Sequence, residues 1–371
     1  MKTVLVTGAN GFMGKNLTCR LKRQENVDIR AFDIEDHTAT LRAQLKEADF
    51  IFHLAGVNRP QKMEEFEIGN VDLTKTMVSV LDEFKRPVPI VFSSSTQAIL
   101  ENPYGISKKK AENILLEYGR RNKAQVFIYR LPNVFGKWAQ PNYNSVVATF
   151  CYNISHDLEI SISDPKKEIE LVYIDDVVED FLRLVKMDSL TGRGNYCQIH
   201  RTFKITLGQL AEEIYRLRDI RKTLIIPDLS NDLTKFLYAT YLSYLDKDGF
   251  SYKLDSKIDH RGILTELLKS RHFGQFFISK SFPGIKRGNH YHHTKIEKFC
   301  VIKGRAAIKF RRIIDDQVLT YNVSGENPEV VDIPPGYTHS IENIGQDELI
   351  TLFWSDELFD PERPDTFFEE V

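Results

Sequence analysis

Cysteine is scarce in this chain of 371 residues, which contains only Cys19, Cys151, Cys197 and Cys300. These residues form no CxxC pair and no closely spaced framework, so the sequence offers no disulfide scaffold. Disulfides are rare in reducing compartments, and we therefore predict a cytoplasmic protein.

Excess charge and long apolar runs are absent as well. The formal net charge is −2, with 50 Lys and Arg residues against 52 Asp and Glu residues. This balance excludes a broad basic surface, so we predict no nucleic-acid partner. No apolar run approaches the ~20 residues of a membrane-spanning helix, and the first residues lead into a strand and not a cleavable signal, so we predict no membrane partner. A chain of this length favours two domains over one hydrophobic core.

The first residues predict a strand, a glycine-rich turn and a helix. Residues 3–7 are a short apolar run, which favours a buried parallel strand. Gly8, Gly11 and Gly14 follow in a Gly-x-x-Gly-x-x-Gly arrangement, directly before a helix-like stretch. Such glycines allow a tight turn and a close approach of the backbone to a pyrophosphate, whose charge a helix N-terminus attracts. We therefore predict a nucleotide-binding site.

The residues leave the choice of cofactor open. Asp33 lies 19 residues past Gly14, where an acid holds the ribose 2′-hydroxyl of NAD and repels the 2′-phosphate of NADP. Arg30 and Arg59 are nearby cations that favour the phosphate. A solvated Asp at the end of a strand is the alternative reading of Asp33.

A serine-ended strand and a Tyr-x3-Lys pair predict a hydride-transfer site. Tyr104 and Lys108 open a helix-compatible run over 107–118, so they share a face one turn apart. A ketone that accepts hydride develops negative charge on its oxygen, which Tyr104 would quench by proton donation. Lys108 would lower the pKa of Tyr104, and Ser95 would hydrogen-bond the same oxygen, with Ser94 as the alternative.

Four residues near the C-terminus have the spacing of a metal site. His290 and His292 lie on alternate residues and point the same way on a strand, Glu297 follows, and His339 completes the set. Three histidines and a carboxylate suit Zn, Mn, Fe, Ni or Cu.

Short alternating runs surround these ligands and predict an all-β domain. The runs cover 275–279, 298–302, 306–310 and 349–354, and Gly, Pro, Asn and Asp separate them. This pattern favours a jelly-roll barrel. A turn at 246–249 marks the boundary, so we predict domains 1–246 and 247–371.

Residues 1 to about 245 resemble the extended short-chain dehydrogenases/reductases that act on nucleotide sugars. The further matches are His53-Leu54-Ala55-Gly56, Asn70-Val71 and Arg130-x-x-Asn133-Val134-Phe135-Gly136. The resemblance implies a Rossmann-like α/β domain that binds NAD(P), with Asn133 at the sugar-nucleotide site. The 4,6-dehydratases of this family carry Asp-Glu where this chain has Thr96-Gln97, which favours reduction or epimerisation.

The C-terminal motifs resemble the two signature segments of the cupins, which implies a metal held by His290, His292, Glu297 and His339. A rival resemblance, to the metal-free dTDP-4-dehydrorhamnose 3,5-epimerases, would make His290 a catalytic base. We favour the metal, because those enzymes keep a lysine where this chain has Glu297. Five residues remain candidates for an epimerisation base: Glu266, Tyr291, His293, Lys303 and Tyr337.

From end to end, the chain resembles the family of the capsular polysaccharide assembling protein CapF. The matches include residues 55–60, 136–138, 141–145, 336–339 and 359–361. The resemblance implies a homodimer with Zn in the cupin domain and NADPH in the reductase domain. It also implies a reaction that converts a 4-keto UDP-sugar into UDP-2-acetamido-2,6-dideoxy-β-L-talose for capsule or O-antigen synthesis.

One ketone unites the two predicted sites. Reduction requires a carbonyl group, and epimerisation requires the same group because only the proton on the carbon beside it is acidic enough for a side-chain base. We therefore expect inversion at C3 in the cupin domain and then reduction at C4. Because Asp33 departs from the implied NADPH preference, NADH stays open as the cofactor. A 4-epimerase that retains NAD and a non-catalytic cofactor sensor with a sugar-binding cupin are the alternatives.

Overall fold

The computed structural model describes residues 1–187, 195–314 and 316–371. The chain forms two compact units, one of Met1–Tyr215 with Phe236–Leu245 and one of Arg216–Lys235 with Asp246–Val371. The bounds of these units differ from those of the predicted domains 1–246 and 247–371 at Arg216–Lys235 and at Asp246, which belong to the second unit. The reason at Arg216–Lys235 is local backbone pairing, in which the amide of Ile226 donates to the carbonyl of Lys269 at 2.7 Å. The predicted domains stay a prediction. In the part of the chain described, no helix has the length and apolarity needed to cross a membrane.

The first unit alternates strands and helices. Its strands are β1 (Lys2–Thr7), β2 (Val27–Phe32), β3 (Phe50–His53), β4 (Ile90–Ser95), β5 (Val126–Leu131), β6 (Asn133–Phe135), β7 (Glu168–Tyr173), β8 (Tyr196–Cys197) and β9 (Phe203–Thr206). The chain's helices are α1 (Phe12–Leu21), α2 (Thr38–Glu47), α3 (Glu64–Phe66), α4 (Leu73–Glu83), α5 (Pro103–Asn122), α6 (Val146–Ser155), α7 (Ile174–Lys186), α8 (Leu207–Thr223) and α9 (Asp232–Leu242). A π-helical turn (Glu67–Asp72) precedes α4, and a 3-10 turn (Thr96–Ile99) follows β4.

A six-stranded parallel sheet lies at the centre of this unit, in the order β2-β1-β3-β4-β5-β8. The middle strands β1, β3, β4 and β5 are mostly buried because both faces of the sheet are covered: Val4 and Phe52 belong to one buried cluster, and Leu5 and Ile51 to another. The order reverses between β1 and β3, and ligands bind at the carboxyl ends of strands beside such a switch point. The predicted Rossmann-like α/β fold is confirmed. A small second sheet joins β6, β7 and β9.

The second unit is built from antiparallel strands. They are β10 (Ser256–Asp259), β11 (Gly262–Ser270), β12 (Gly274–Ser281), β13 (Lys286–Tyr291), β14 (Glu297–Lys303), β15 (Arg305–Arg312), β16 (Val318–Ser324), β17 (Val330–Ile333), β18 (Tyr337–Asn343), β19 (Leu349–Ser355) and β20 (Phe367–Phe368). They form two sheets, β10-β11-β12-β19-β14-β17 and β16-β15-β18-β13-β20. Phe299 and Phe353 of the first sheet share a buried core with Ile308 and Ile341 of the second. The predicted all-β C-terminal domain is confirmed, and its two antiparallel sheets are consistent with the predicted cupin barrel.

Candidate functional site

The glycine-rich turn joins β1 to α1 at the switch point of the parallel sheet. Gly8 has φ +70°, and a β-carbon built on it would lie 2.7 Å from the backbone nitrogen of Ala55. A β-carbon on Gly14 would collide with the carbonyl oxygen of Gly8, so α1 packs against the turn only with glycine there. Gly11 is exposed at the outer side of the turn. This division of roles fits a turn whose backbone must approach a pyrophosphate.

Asp33 lies directly after β2 and contacts the glycine-rich turn. Its carboxylate accepts a hydrogen bond from the backbone amide of Asn10 at 2.6 Å. Of the two nearby cations, Arg30 is engaged by Asp28 at 3.0 Å and by a second carboxylate. Arg59 is exposed and forms no ion pair within the described ranges. The structure therefore places an acid beside the turn, while the choice between NADH and NADPH stays a prediction.

The structure brings Ser95, Tyr104 and Lys108 together. Ser95 ends β4, and Asn102 caps α5 by accepting a hydrogen bond from the amide of Gly105 at 2.8 Å. This cap begins the helix at Pro103, so Tyr104 and Lys108 lie one turn apart, and the hydroxyl of Ser95 is close enough to Tyr104 to lower the pKa of its phenol. Their catalytic roles stay predictions.

Burial governs the charges at this trio. Burial raises the pKa of Tyr104, and the nearby hydroxyl of Ser95 offsets only part of that rise. Burial also lowers the pKa of Lys108 to about 8, against the opposing charge of Glu112. We expected Lys108 to lower the pKa of Tyr104, but burial outweighs any such effect. The phenol is therefore protonated at neutral pH, which is the form that donates a proton.

Glu112 is a buried carboxylate that the sequence did not single out. It lies one turn after Lys108 on α5, and Arg130 binds both its oxygens at 2.9 and 2.7 Å. The hydroxyl of Ser94 donates to the same carboxylate at 2.6 Å, so Ser94 is engaged away from Tyr104. The Lys-x3-Glu spacing was the available signal, but a pair of this spacing is usually a solvated contact on a helix surface.

Asn70 fastens the loop after β3 to α5. Its side chain accepts a hydrogen bond from the amide of Val57 at 2.8 Å and donates to Ser107 Oγ at 2.9 Å.

Asn133, the predicted substrate contact, is exposed, and its amide donates to the carbonyl of Glu170 at 3.0 Å. The structure leaves its substrate role a prediction.

The four predicted metal ligands converge in the second unit. His290 and His339 are paired residues of neighbouring strands β13 and β18, His292 lies just past β13, and Glu297 begins β14 of the facing sheet. One donor atom from each lies within 4.8 Å of the others. Gly288 has φ +97° at a register shift that precedes His290. This bulge bends the strand next to the cluster.

The donor atoms have the separations that a small divalent cation requires. Nε2 of His292 and Nε2 of His339 lie 3.3 and 3.5 Å from Oε2 of Glu297. Donors about 2.0–2.1 Å from a tetrahedral Zn ion lie about 3.4 Å from one another. Both Nε2 atoms are buried, and neither makes a hydrogen bond with a described residue. The residues therefore fit a metal ion.

The charges at the cluster agree with this fit. Burial and the neighbouring charge of His339 lower the pKa of His290 to about 4, so its imidazole is neutral at pH 7. Burial acts to raise the pKa of Glu297, but the imidazoles of His292 and His339 hold that pKa below its usual range. Neutral imidazoles and an ionised carboxylate are the forms that bind metal.

The side chains of the candidate epimerisation bases point in different directions. Tyr291 alternates with His290 on β13, and its ring packs against those of His293 and Phe367, away from the ligands. Tyr337 lies two residues before His339 on β18, so its side chain shares the interior face of the barrel. Glu266 forms an ion pair with Lys269, and its partner across strands β11 and β12 is Phe277, which packs on the core, so Glu266 lies on the interior face as well. Lys303 is exposed.

Comparisons with known proteins define the class of this chain. Residues 4–196 match the NAD dependent epimerase/dehydratase family, and residues 257–367 match the polysaccharide biosynthesis C-terminal domain. The chain therefore belongs to the NAD dependent epimerase/dehydratase family and is an enzyme that uses a nicotinamide dinucleotide.

Relatives of full length define the particular family. The UDP-2-acetamido-2,6-beta-L-arabino-hexul-4-ose reductase of Pseudomonas aeruginosa is 45% identical over 364 residues, which are 98% of this chain and 97% of that protein. The crystal structure of the capsular polysaccharide assembling protein CapF from Staphylococcus aureus is 44% identical, with a TM-score of 0.92, over 99% of this chain and 100% of that one. CapF with the inhibitor 3-isopropenyl-tropolone is 40% identical, with a TM-score of 0.88, over all of both chains. This chain is a member of the CapF family.

Proposed function

We propose that this chain is a bifunctional nucleotide-sugar enzyme. The second unit epimerises C3 of a 4-keto UDP-2-acetamido-2,6-dideoxy-hexose, and the first unit then reduces C4 with NADPH. The product is UDP-2-acetamido-2,6-dideoxy-β-L-talose, for capsule or O-antigen synthesis. The observation that carries the proposal is the full-length relative at 45% identity, whose name specifies reduction of a 4-ketose.

The trio of the first unit supports the reduction. NADPH, when bound, supplies the hydride to C4. Tyr104 is protonated at neutral pH and transfers its proton to the carbonyl oxygen, while Ser95 hydrogen-bonds the same oxygen. Lys108 is charged below a pH of about 8, and its ammonium favours the phenolate that remains after the transfer.

The His-Glu cluster of the second unit supports the epimerisation. His290, His292, Glu297 and His339 would hold a divalent metal, for which we propose Zn, and its charge would stabilise an enolate. Among the candidate bases, Tyr337 lies on the same strand as the ligand His339 and on the same face of that strand. We propose Tyr337 as the base that removes the proton at C3.

Replacing Tyr104 by Phe separates the two reactions. We expect Tyr104→Phe to reduce NADPH oxidation with the 4-keto substrate by about 10²- to 10⁴-fold, because the proton donor is lost. Exchange of the C3 proton with solvent is expected to continue. The matched control is Tyr252→Phe, which removes a hydroxyl from a half-exposed ring. Normal NADPH oxidation by Tyr104→Phe would refute the assignment.

NADPH consumption also distinguishes the alternatives. A 4-epimerase that retains NAD and a cofactor sensor would both leave added NADPH unoxidised, whereas the proposed reductase oxidises one NADPH for each sugar reduced.

Arg59 is the exposed cation that we expect to favour NADPH over NADH despite Asp33. Arg59→Ala is therefore expected to weaken NADPH binding and leave NADH binding unchanged.

We propose the cytoplasm as the site of the reaction, because nucleotide sugars and NADPH are supplied there. We also propose a homodimer, which sedimentation of the purified protein would test against a monomer.

A further inference from the structure

A C-terminal segment, residues 364–370, packs beside the metal cluster in the second unit. Its strand β20 pairs with β13, where Phe368 lies opposite His290. The hydroxyl of Thr338 donates to the carbonyl of Glu369, and the amide of Glu369 donates to the carbonyl of Asn289 at 3.0 Å. The segment therefore contacts both strands that carry paired ligands.

Asp365 is the centre of these contacts. Its carboxylate accepts hydrogen bonds from three consecutive amides, those of His293, Thr294 and Lys295, at 3.0, 2.9 and 2.8 Å. The hydroxyl of Thr294 adds a fourth hydrogen bond at 3.0 Å. Successive amides that converge on one anion form a strong local site, so the carboxylate fixes the turn that follows His292.

The buried side chain of Lys295 contacts both residues next to Asp365 in the chain. The ammonium of Lys295 donates to the carbonyl of Pro364 at 2.9 Å and to the hydroxyl of Thr366 at 3.0 Å. Lys295 is 7% exposed. Both neighbours of Asp365 in the chain are therefore anchored to the same turn.

The main chain of Asp365 acts on His292 directly. Nδ1 of His292 lies 2.6 Å from the carbonyl oxygen of Asp365, and because a carbonyl only accepts, Nδ1 carries the proton. Nε2 then presents its lone pair toward Glu297 and the other ligands. Metal-bound histidines commonly use their second nitrogen in this way, which fixes both the tautomer and the direction of the ring.

We propose that Asp365 is a positioning residue for the metal ligand His292. Its carboxylate folds the turn 293–295, and its main-chain carbonyl selects the tautomer of His292 that binds metal. This inference rests on the metal centre of the proposed function.

The test measures Co²⁺ binding by the full-length protein after metal removal. Asp365→Asn keeps the shape of the side chain, and Asn tolerates the φ of +38° at this position, but its amide group faces backbone donors. We expect Co²⁺ affinity, measured by competition with a chelating dye, to fall by about 10- to 100-fold. The visible spectrum of bound Co²⁺ is expected to change, which a general loss of stability would not cause.

Two further variants complete the design. Asp360→Asn makes the same change where the carboxylate, among the described residues, accepts only from the amide of Glu362, and wild-type Co²⁺ binding is expected. Thr294→Val removes one of the hydrogen bonds to Asp365 without changing charge, and a smaller loss of affinity is expected. This variant decides the question if Asp365→Asn does not fold.

The outcomes separate this inference from the metal centre itself. Wild-type affinity and an unchanged Co²⁺ spectrum in folded Asp365→Asn, or wild-type affinity in Thr294→Val if Asp365→Asn does not fold, would overturn the role of Asp365. Failure of the wild-type protein to bind Co²⁺ would overturn the metal centre and this inference with it.

Discussion

At the scale of single residues, a buried lysine and a buried glutamate set the charge at the candidate reductase site. The pKa of Lys108 is lowered to about 8 because burial disfavours its ammonium form, and Glu112 on the same helix opposes that effect. Glu112 itself is ionised: burial would raise its pKa, but hydrogen bonds from Arg130 and Ser94 lower it overall. The charge on Lys108 therefore depends on a carboxylate that is fully buried.

This dependence predicts the alkaline limb of the reduction. Because Lys108 loses its proton as the pH rises through about 8, the rate of NADPH oxidation is expected to fall there. Glu112→Gln removes the charge that raises the pKa of Lys108, so the limb is expected to move to lower pH. The control is Glu117→Gln, an exposed residue of the same helix. The pH–rate profile measures the effect, and an unshifted limb in a folded Glu112→Gln variant would contradict it.

At the scale of secondary-structure elements, the turn between β1 and α1 uses its glycines for two different purposes. Gly14 is buried against the carbonyl of Gly8, whereas Gly11 is exposed with ordinary backbone angles. A side chain at Gly14 therefore disturbs the packing of α1. A side chain at Gly11 crowds the surface where a pyrophosphate would lie.

This difference predicts that one alanine substitution mainly lowers stability and that the other mainly weakens cofactor binding. Gly14→Ala is expected to lower the free energy of unfolding by about 1–3 kcal/mol, because the backbone must shift. Gly11→Ala is expected to cost less stability, because its β-carbon would lie 3.2 Å from the carbonyl oxygen of Gly8 and not overlap it, and to weaken NADPH binding. Thermal unfolding and cofactor titration measure the two effects, and equal stability losses in both variants would show that the division of roles is wrong.

Contacts that are local in sequence were predictable, and contacts between distant segments were not. The glycine-rich turn lies within seven residues, and Tyr104 and Lys108 lie on one turn of α5, so spacing alone places their side chains. Glu112 acquires its role only when the sheet brings Arg130 beside it. Asp365 contacts a turn about 70 residues earlier, and no periodic pattern connects segments across that distance.

The strands of the second unit show the same limit. The runs chosen by alternation match β12, β14, β15 and β19 closely, because one face of each is buried. Residues between Gly325 and Pro334 include β17, whose partner is β14. This strand has only four residues and lies at the edge of its sheet, so its own sequence gives little signal.

At the scale of the whole molecule, the metal is expected to stabilise the part of the second unit that it joins. A ligand that binds only the folded state adds about 4 kcal/mol at a thousand times its Kd. Removal with a chelator is therefore expected to speed amide hydrogen exchange in β13, β18 and residues 364–370. Strands β10 and β11 of the same unit carry no ligand and serve as the internal control. Equal exchange with and without metal in β13 and β18 would contradict a bound ion at this site.

One ketone links the reactions that we assign to the two units, since it acidifies the proton at C3 and accepts hydride at C4. NMR of the 4-keto UDP-sugar with the enzyme in heavy water tests this link most directly. Without NADPH, we predict that deuterium enters C3 of the ketose. With NADPH, the product is predicted to carry deuterium at C3 and ordinary hydrogen at C4, whereas full conversion to product with no deuterium at C3 would contradict the account.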